Sequence, residues 1–368
     1  MTTLWKFKKT LPYFQHDQRI LVGDRLIGIK DPQGTIARLL NLADGTRTTE
    51  ELARALSNDQ IQVSTEDVET VSHQLMELGL FEDVSFHHPQ VLAPDLRDRL
   101  RVNINFFSHR TLNQDPYLLQ ERVRAARVTL LGLGGGGSNL LMHIAGLGVQ
   151  DIIGVDYDCV ELSNLNRQPL YTPDDIGSLK AEAAAQWMNR FYPESHFQPV
   201  AHKISSTRDA IEVMRGRDLV IVAADEPVVA MRQWVNEAAV ETGVPFIVGG
   251  IRSLEAHYEM FKVGETPCWE CVQTHNRQKH PQWDTLVSVV SQSHYRSQSV
   301  ILPHMGILTS LIAADALNYL AGLSQPWAWG KRVQFNFSDG TLSVYDEWVR
   351  DPHCPVCHPT HGVSAHVG

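Results

Sequence analysis

The sequence predicts an α/β protein whose mostly parallel sheet carries helices on both faces, preceded by a small α+β domain and completed by a four-cysteine module. Three observations predict this class. Beyond Arg127, short apolar runs alternate with amphipathic stretches, which is the pattern of a parallel sheet built from βαβ units. The first of these runs leads into "GLGGGG" at 132–137. Two C-x-x-C pairs follow, one on each side of a long apolar segment.

Residues 1–90 are predicted to form a separate, winged-helix-like domain. The segment 19–29, "RILVGDRLIGI", reads as a β-hairpin because two apolar runs flank a Gly-Asp pair. Three helices are predicted after it, at 35–43, 48–56 and 64–81. The last two begin with a Thr or Ser followed three residues later by an acidic residue, which is the signature of a capping box.

The segment 91–125 is rich in Asp and Arg and is predicted to be a linker with one helix, followed by the main domain at 126–368. That domain is predicted to have strands at 127–133, 151–158, 218–225, 244–250, 332–337 and 342–348. Its predicted helices lie at 138–148, 179–191, 228–243 and 300–323. The stretch between His275 and His304 reads as a polar loop.

Composition excludes several classes of protein. The chain has 368 residues, of which 43% are apolar, enough for a sizeable core. It contains no apolar run of 18 residues, and its first residues are not expected to be a signal peptide. A cytoplasmic protein without a membrane span is therefore expected. The net charge of −10 argues against a nucleic-acid-binding protein.

Four of the five cysteines predict a structural zinc site. They form two pairs with metal-ligand spacing, Cys268 with Cys271 and Cys354 with Cys357. Two such pairs complete a closed four-sulfur site for Zn²⁺ with no open position for catalysis. The alternatives are four unrelated buried thiols or a redox pair. Cys159 is left over and is expected to be a small buried apolar residue.

The glycine turn predicts a nucleotide site in a Rossmann-like sheet. Gly132, Gly134 and Gly137 fit G-x-G-x-x-G between a strand and a helix, with Gly135 in the same turn. Asp156 ends the next strand and is placed to accept the ribose hydroxyls. The turn brings phosphate close to the backbone at a helix N-terminus. Taken alone, this motif fits a dinucleotide and ATP equally well.

A group of charged residues then favours ATP. Asn164 and Arg167 follow shortly after the second strand, and Lys180 comes thirteen residues after Arg167. Asp225 ends the third strand. The carboxyl ends of parallel strands meet at one crevice, so two cations and a carboxylate converge there. Arginine and lysine stabilise charge on a triphosphate, and a carboxylate holds Mg²⁺. Hydride transfer needs no such group.

These motifs resemble the ThiF/MoeB/HesA family of ubiquitin-activating-type adenylating enzymes. The resemblance covers about residues 100–358 and includes the glycine turn, the two C-x-x-C pairs and "D-x-D-x-V-x-x-S-N-L-x-R-Q". That motif begins at Asp156 and also contains Asp158 and Gln168.

The resemblance implies ribose binding by Asp156, phosphate contacts from Asn164, Arg167 and Lys180, and Mg²⁺ binding by Asp225. Arg167, Lys180 and Asp225 would be the catalytic residues. It also implies a homodimer in which a substrate carboxylate attacks the α-phosphate of ATP, giving an acyl adenylate and pyrophosphate.

Within that family the chain is most similar to the enzymes that act on the precursors of microcin C and pantocin A. The segment "ADEPVVAMRQWVN" has two more residues between its aspartate and the helix than sulfur-carrier activators have. The first 85 residues resemble the PqqD-like module that binds leader peptides of ribosomally made, modified peptides. The implied partner is therefore a precursor peptide, activated at its C-terminus or at a glutamate side chain, with the glutamate favoured.

The sequence also departs from the family. Sulfur-carrier activators carry "RYNRQ", whose second arginine reaches the nucleotide across the dimer, whereas this chain reads "RVNIN" at 101–105 with Ile104 at that place. No cysteine is placed for a thioester, which favours direct attack on the adenylate by a nucleophile of the peptide. The alternative functions are a sulfur-carrier adenylyltransferase, a non-catalytic peptide-presenting scaffold and an NAD-dependent oxidoreductase.

Overall fold

The protein is described by a computed structural model that covers residues 2–8, 12–23, 27–57, 61–111, 113–224, 226–252, 254–292 and 300–358. The chain divides into two compact units, Met1–Glu121 and Arg122–Gly368.

The first unit combines two small antiparallel sheets with helices. One sheet has the strand order β2-β3-β4 and the other the order β5-β1-β6. The strands are β1 (Leu4–Phe7), β2 (Tyr13–His16), β3 (Arg19–Val22), β4 (Ile27–Lys30), β5 (Asp44–Thr48) and β6 (Phe81–Asp83). The helices are α1 (Thr35–Leu42), α2 (Thr49–Leu56), α3 (Thr65–Glu77), α4 (Pro94–Arg99), α5 (Arg101–Arg110) and α6 (Pro116–Ala125), which crosses the division between the units.

The predicted hairpin and its three helices are present in this unit. Strand β3 pairs antiparallel with β4. Both capping boxes form: the Thr48 hydroxyl accepts from the N–H of Glu51 at 3.2 Å, and the Ser64 hydroxyl accepts from the N–H of Asp67 at 3.0 Å. Strands β1, β2, β5 and β6 were not predicted. The indole of Trp5 on β1 is buried in the apolar core shared by both sheets and helices α1, α2 and α3.

The segment predicted as a linker with one helix contains three, α4, α5 and α6. Pro94 and Pro116 are the first residues of α4 and α6. Proline suits the first helical position because its fixed φ matches the helix and its missing N–H has no intrahelical role there. These prolines are therefore helix starts inside a segment whose charge resembles a linker.

The second unit is built on one eight-stranded sheet with the order β14-β13-β12-β11-β10-β7-β8-β9. Its strands are β7 (Arg127–Leu131), β8 (Asp151–Val155), β9 (His196–Val200), β10 (Leu219–Val222), β11 (Phe246–Arg252), β12 (Glu255–Phe261), β13 (Lys331–Asn336) and β14 (Leu342–Glu347). Its helices are α7 (Gly135–Gly146), α8 (Lys180–Phe191), α9 (Thr207–Met214), α10 (Val228–Thr242), α11 (Trp269–Lys279), α12 (Trp283–Gln292) and α13 (Leu302–Ala321).

Strands β7 to β11 are parallel, and β12 to β14 continue the sheet antiparallel. The chain moves outward from β7 to β8 and β9, then returns to place β10 on the other side of β7. This reversal is the topological switch point at which open α/β sheets bind ligands. The predicted mostly parallel sheet is confirmed.

Helices cover both faces of this sheet. Val248 on β11 belongs to the apolar core formed with α9 and α10. The next residue, Gly249, faces the opposite way, and a β-carbon placed on it would lie 3.2 Å from Cδ1 of Ile312 in α13. Because successive strand residues point to opposite faces, α13 covers the face away from α10.

The polar stretch between His275 and His304 was expected to be a loop, and that expectation is wrong where the structure describes it. Helix α11 extends to Lys279, and α12 occupies Trp283–Gln292. Within the described residues, no helix is long and apolar enough to cross a membrane.

Candidate active site

The glycine turn joins the end of β7 to the start of α7 and has no room for side chains at two positions. Gly132 has a φ of +91°, and a β-carbon there would lie 2.8 Å from the backbone nitrogen of Ala224. A β-carbon on Gly137 would lie 1.7 Å from the carbonyl oxygen of Gly132. Strand, turn and helix can approach this closely only because both residues are glycine.

The N-terminus of α7 opens onto this turn. Gly134 is the N-cap and Gly135 the first helical residue. The first N–H groups of any helix have no intrahelical partner and carry its positive end. Nε2 of Gln168, a residue only 2% exposed, lies 3.9 Å from the position of a β-carbon on Gly134. Its Oε1 has no hydrogen-bond partner among the described residues, and Nε2 is the amide atom nearer to the helix end.

Asp156 stands at the end of β8 with its carboxylate fixed by two backbone donors. The N–H of Leu133 donates to Oδ2 at 2.7 Å, and the N–H of Asp158 donates to Oδ1 at 2.9 Å. Burial raises the pKa of Asp156, and the positive charge of Lys180 opposes that rise. Each carboxylate oxygen keeps a lone pair for a further donor, as ribose hydroxyls would provide.

Lys180 is the first residue of α8, and its ammonium group lies beside the end of β8. Nζ is 3.0 Å from Oδ2 of Asp158, and the side chain of Lys180 is only 8% exposed. The Asp158 carboxylate is half exposed. In this arrangement Asp158 holds the lysine in the crevice, and an incoming anion would compete with that carboxylate for the ammonium group.

Asn164 and Arg167 occupy the turn that follows β8. The Asn164 Oδ1 accepts from the N–H of Glu161 at 3.1 Å, so this side chain caps its own turn. Arg167 donates from Nη1 to the carbonyl of Ser163 at 2.8 Å. The Cδ of Arg167 is 3.8 Å from the position of a β-carbon on Gly135, which places its stem at the N-terminus of α7.

The structure therefore brings most of the predicted nucleotide residues to the carboxyl ends of β7 and β8. Asp225 lies outside the described residues. Cys159 was expected to be buried, and this is wrong: it is exposed, because it lies with Tyr157 and Asp158 in an exposed segment beyond the end of β8. Ile104 packs in a small apolar cluster with Leu92 and Leu100 in the first unit.

Two residues of this site were not predicted. The hydroxyl of Tyr171 donates to the carbonyl of Leu133 at 2.8 Å. Cε of Met305 in α13 lies 3.3 Å from the position of a β-carbon on Gly135. A signal existed for the tyrosine, since it closely follows Gln168 and a buried tyrosine hydroxyl needs a partner. The methionine lies far along the chain and gave no local signal.

The four paired cysteines meet in one cluster in the second unit. The sulfur of Cys268 is 3.8 Å from that of Cys271 and 3.6 Å from that of Cys354, and Cys271 and Cys357 are 3.5 Å apart. All four sulfur atoms lie within 4.8 Å of one another. A tetrahedron with metal–sulfur bonds of about 2.3 Å has edges of about 3.8 Å. The four thiols therefore fit a single metal ion.

The close packing of the four thiols shifts the pKa values of two members of the cluster in opposite directions. The hydrogen bond with Cys268 lowers the pKa of Cys271 to about 5, and the N–H of Asp351 donates to the same sulfur at 3.5 Å. The pKa of Cys357 is raised to about 12, first by burial. Four converging sulfurs cannot all ionise without a cation between them, so the donor set matches a thiolate-bound metal.

In sequence, the second unit is similar to one protein family. The sequence profile of the ThiF family matches residues 102–356. The sulfur carrier protein adenylyltransferase of Thermus thermophilus is 32% identical over 252 residues, which cover 65% of this chain and 84% of that protein.

Solved structures extend the likeness to the first unit. Two structures of the microcin C7 biosynthetic enzyme MccB, one from E. coli with AMPCPP and MccA and one with N-formylated MccA, match with a TM-score of 0.75 and 21% identity. Each covers 96% of this chain and 99% of the MccB chain. PaaA matches with a TM-score of 0.64 and 23% identity, covering 76% of this chain and 91% of PaaA. At these identities the likeness is one of fold.

Proposed function

Because the chain belongs to the ThiF family, we propose that it uses ATP to adenylate a carboxylate of a ribosomally made precursor peptide. The chain is an adenylating enzyme of the ThiF/MoeB type. One observation carries the nucleotide part of the proposal. The N-terminus of α7, the Asp156 carboxylate and the ammonium group of Lys180 are linked through Leu133 and Asp158 at the carboxyl ends of β7 and β8.

The reaction assigned to this crevice is attack of a carboxylate oxygen on the α-phosphorus of ATP. The new P–O bond forms an acyl adenylate. The bond from the α-phosphorus to the oxygen that bridges to the β-phosphate breaks, and pyrophosphate leaves with its electron pair. The N–H groups of α7, Arg167 and Lys180 stabilise the negative charge that develops on the phosphates. Asp225 would hold Mg²⁺, which neutralises the same charge.

The peptide part of the proposal rests on the first unit. The family profile begins at residue 102, whereas the MccB fold covers 96% of the chain. MccB is described in complex with MccA. A precursor peptide bound by the first unit gives that unit a function, while a sulfur-carrier adenylyltransferase of the Thermus kind matches only 65% of the chain. The acyl adenylate would then be attacked by a nucleophile of the same peptide, with a glutamate side chain as the favoured site of activation.

Strand β4 is the proposed docking edge for the leader. Among the described residues β4 pairs with β3 alone. The N–H of Asp31 donates to the carbonyl of Gln18 at 2.8 Å, and hydrogen-bonded pairs alternate along an antiparallel ladder. The N–H groups of Gly28 and Lys30 therefore point away from β3. An extended peptide can add to this edge as a further strand, and Lys30 would attract acidic side chains.

The cysteine cluster is proposed to be a structural zinc site. Four sulfur ligands leave no open coordination position, so the metal would take no part in adenylation. Its proposed role is to tie the segment after β12 to the segment after β14, since Cys268 and Cys354 are 86 positions apart.

ATP–pyrophosphate exchange with a candidate precursor, found as a short open reading frame beside the gene, tests the proposal. Wild-type enzyme should catalyse exchange only with the leader-bearing peptide. Lys30→Pro removes an outward N–H without touching the ladder to β3, and should abolish binding of that peptide. Lys30→Ala is the matched control, because it removes the charge and keeps the donor, and it should retain most of the binding.

Three results would contradict this function. Exchange that depends on a Gly-Gly sulfur-carrier protein would favour the sulfur-carrier alternative. Peptide binding without any exchange would favour a presenting scaffold. Equal peptide affinity in Lys30→Pro and Lys30→Ala would show that β4 is not the docking edge.

A further inference from the structure

Leu133 lies in the middle of the glycine turn and has both backbone groups fixed by side chains. Its N–H donates to Oδ2 of Asp156 at 2.7 Å, and its carbonyl accepts from the hydroxyl of Tyr171 at 2.8 Å. Leu133 and Tyr171 are both buried. The turn that leads into α7 is therefore held from its two sides by a carboxylate and a phenol.

These two bonds belong to a ring of hydrogen bonds that also includes Asp158 and Lys180. Oδ1 of Asp156 accepts from the N–H of Asp158 at 2.9 Å. The carbonyl of Asp158 accepts from the N–H of Lys180 at 2.9 Å. The ring returns through the Tyr171 hydroxyl, which lies 3.4 Å from the carbonyl of Lys180 as well as close to Leu133. Tyr171 thus spans the glycine turn and the start of the helix that carries the phosphate-facing lysine.

We propose that Tyr171 is a positioning residue of the nucleotide site, whose hydroxyl sets the spacing between the helix N-terminus, the ribose carboxylate and the lysine. The proposal rests on the part of the proposed function that places ATP in this crevice. Tyr171 reaches the nucleotide only through Leu133 and Lys180, so its contribution lies in the geometry it imposes. A neutral donor at this place adds no charge that would attract or repel the phosphates.

The hydroxyl is suited to this task because it stays protonated. Burial raises the pKa of Tyr171 well above its ordinary value, and the negative charge of Asp156 adds to that rise. The O–H group therefore donates throughout the pH range in which the protein is folded. Without it, the buried carbonyl of Leu133 would lose its donor, and a buried acceptor without a partner favours movement of the segment that contains it.

Tyr171→Phe removes only the hydroxyl and keeps the buried ring. The matched control is Tyr258→Phe: Tyr258 is equally buried, and its hydroxyl donates to Oδ2 of Asp315 at 3.1 Å, outside the crevice. Affinity for ATP alone is measured by calorimetry on the full chain, together with the thermal midpoint of each variant. Tyr171→Phe should weaken ATP binding about tenfold, whereas Tyr258→Phe should leave it within twofold at a similar loss of thermal stability.

The outcomes separate this inference from the proposed function. If wild-type protein binds ATP and Tyr171→Phe binds it equally well, the positioning role is wrong and the adenylation site stands. If both tyrosine variants weaken ATP binding by the same factor, the effect is general destabilisation and the positioning role is again wrong. If wild-type protein binds no ATP, the proposed function fails and the inference fails with it.

Discussion

The two halves of the eight-stranded sheet are stabilised by different interactions: apolar burial in one and buried ion pairs in the other. In the parallel half, the side chains of β10 are buried and apolar throughout, and Asp156, Asp158 and Lys180 lie beyond the carboxyl end of β8. In the antiparallel half, charge is buried within the sheet itself. Glu259 on β12 is inaccessible to solvent and lies between two guanidinium groups, 2.6 Å from Nε of Arg332 and 3.5 Å from Nη1 of Arg232.

The antiparallel half therefore contributes mainly to stability, and the parallel half contains the proposed active site. Burial opposes ionisation of Glu259, but the two guanidinium groups outweigh it and hold the pKa of its carboxyl at about 2. The Glu259 carboxylate is paired with two guanidinium groups, and the four cysteine sulfurs converge on one another. In the parallel half, apolar burial stabilises β10, and the polar residues beyond the end of β8 form the proposed binding site. Substitutions in the antiparallel half should therefore lower stability, and substitutions at the edge of the parallel half should lower activity.

The largest effect is expected from the cysteine cluster. Cys354→Ser removes one of four metal ligands, and metal-binding free energy in such sites is folding free energy. We expect little or no folded protein, with loss of bound zinc, measured by thermal unfolding and metal analysis. Cys159→Ser is the matched control, because Cys159 is exposed and outside the cluster, and it should unfold like the wild type. Cys354→Ser protein with wild-type stability and no metal would contradict a structural role.

A smaller effect on stability and a large one on rate are expected at the crevice. Lys180→Ala, Arg167→Ala and Asp225→Ala each remove charge stabilisation at the phosphates, and should lower the ATP–pyrophosphate exchange rate by about 10²–10³. Thermal midpoints and peptide affinity should stay close to wild type. Arg208→Ala removes an exposed surface ion pair and serves as the control. Near-normal exchange in any two of the three variants would refute the assigned site.

The same division decides what the sequence could predict. The strands and helices from β7 to α8 were predicted in their order, because each has a clear local pattern. The cysteine cluster was also predicted, since ligand spacing is local. Strands β9 and β12 and helices α9, α11 and α12 were not predicted. For β12 the reason is physical: the Glu259 carboxylate is buried only because Arg332 on the neighbouring strand pairs with it. Their burial depends on partners distant in the chain.

The smallest predicted effect is a pH dependence of stability that originates in the antiparallel half. His257 on β12 is buried, and burial lowers its pKa to about 3, with the charge of Glu259 opposing that shift. Unfolded histidine has a pKa of about 6.5, so below that value the unfolded chain binds a proton that the folded chain does not. The free energy of unfolding should therefore fall as the pH is lowered, and His257 alone should contribute a loss of about 2 kcal/mol between pH 7 and pH 5.

Urea unfolding of wild type and His257→Gln at the two pH values measures this contribution, because the glutamine does not titrate. His16→Gln, in which the replaced imidazole is largely exposed, should keep the wild-type pH dependence. The same loss of stability on acidification in wild type and His257→Gln would show that the antiparallel half does not carry this titration.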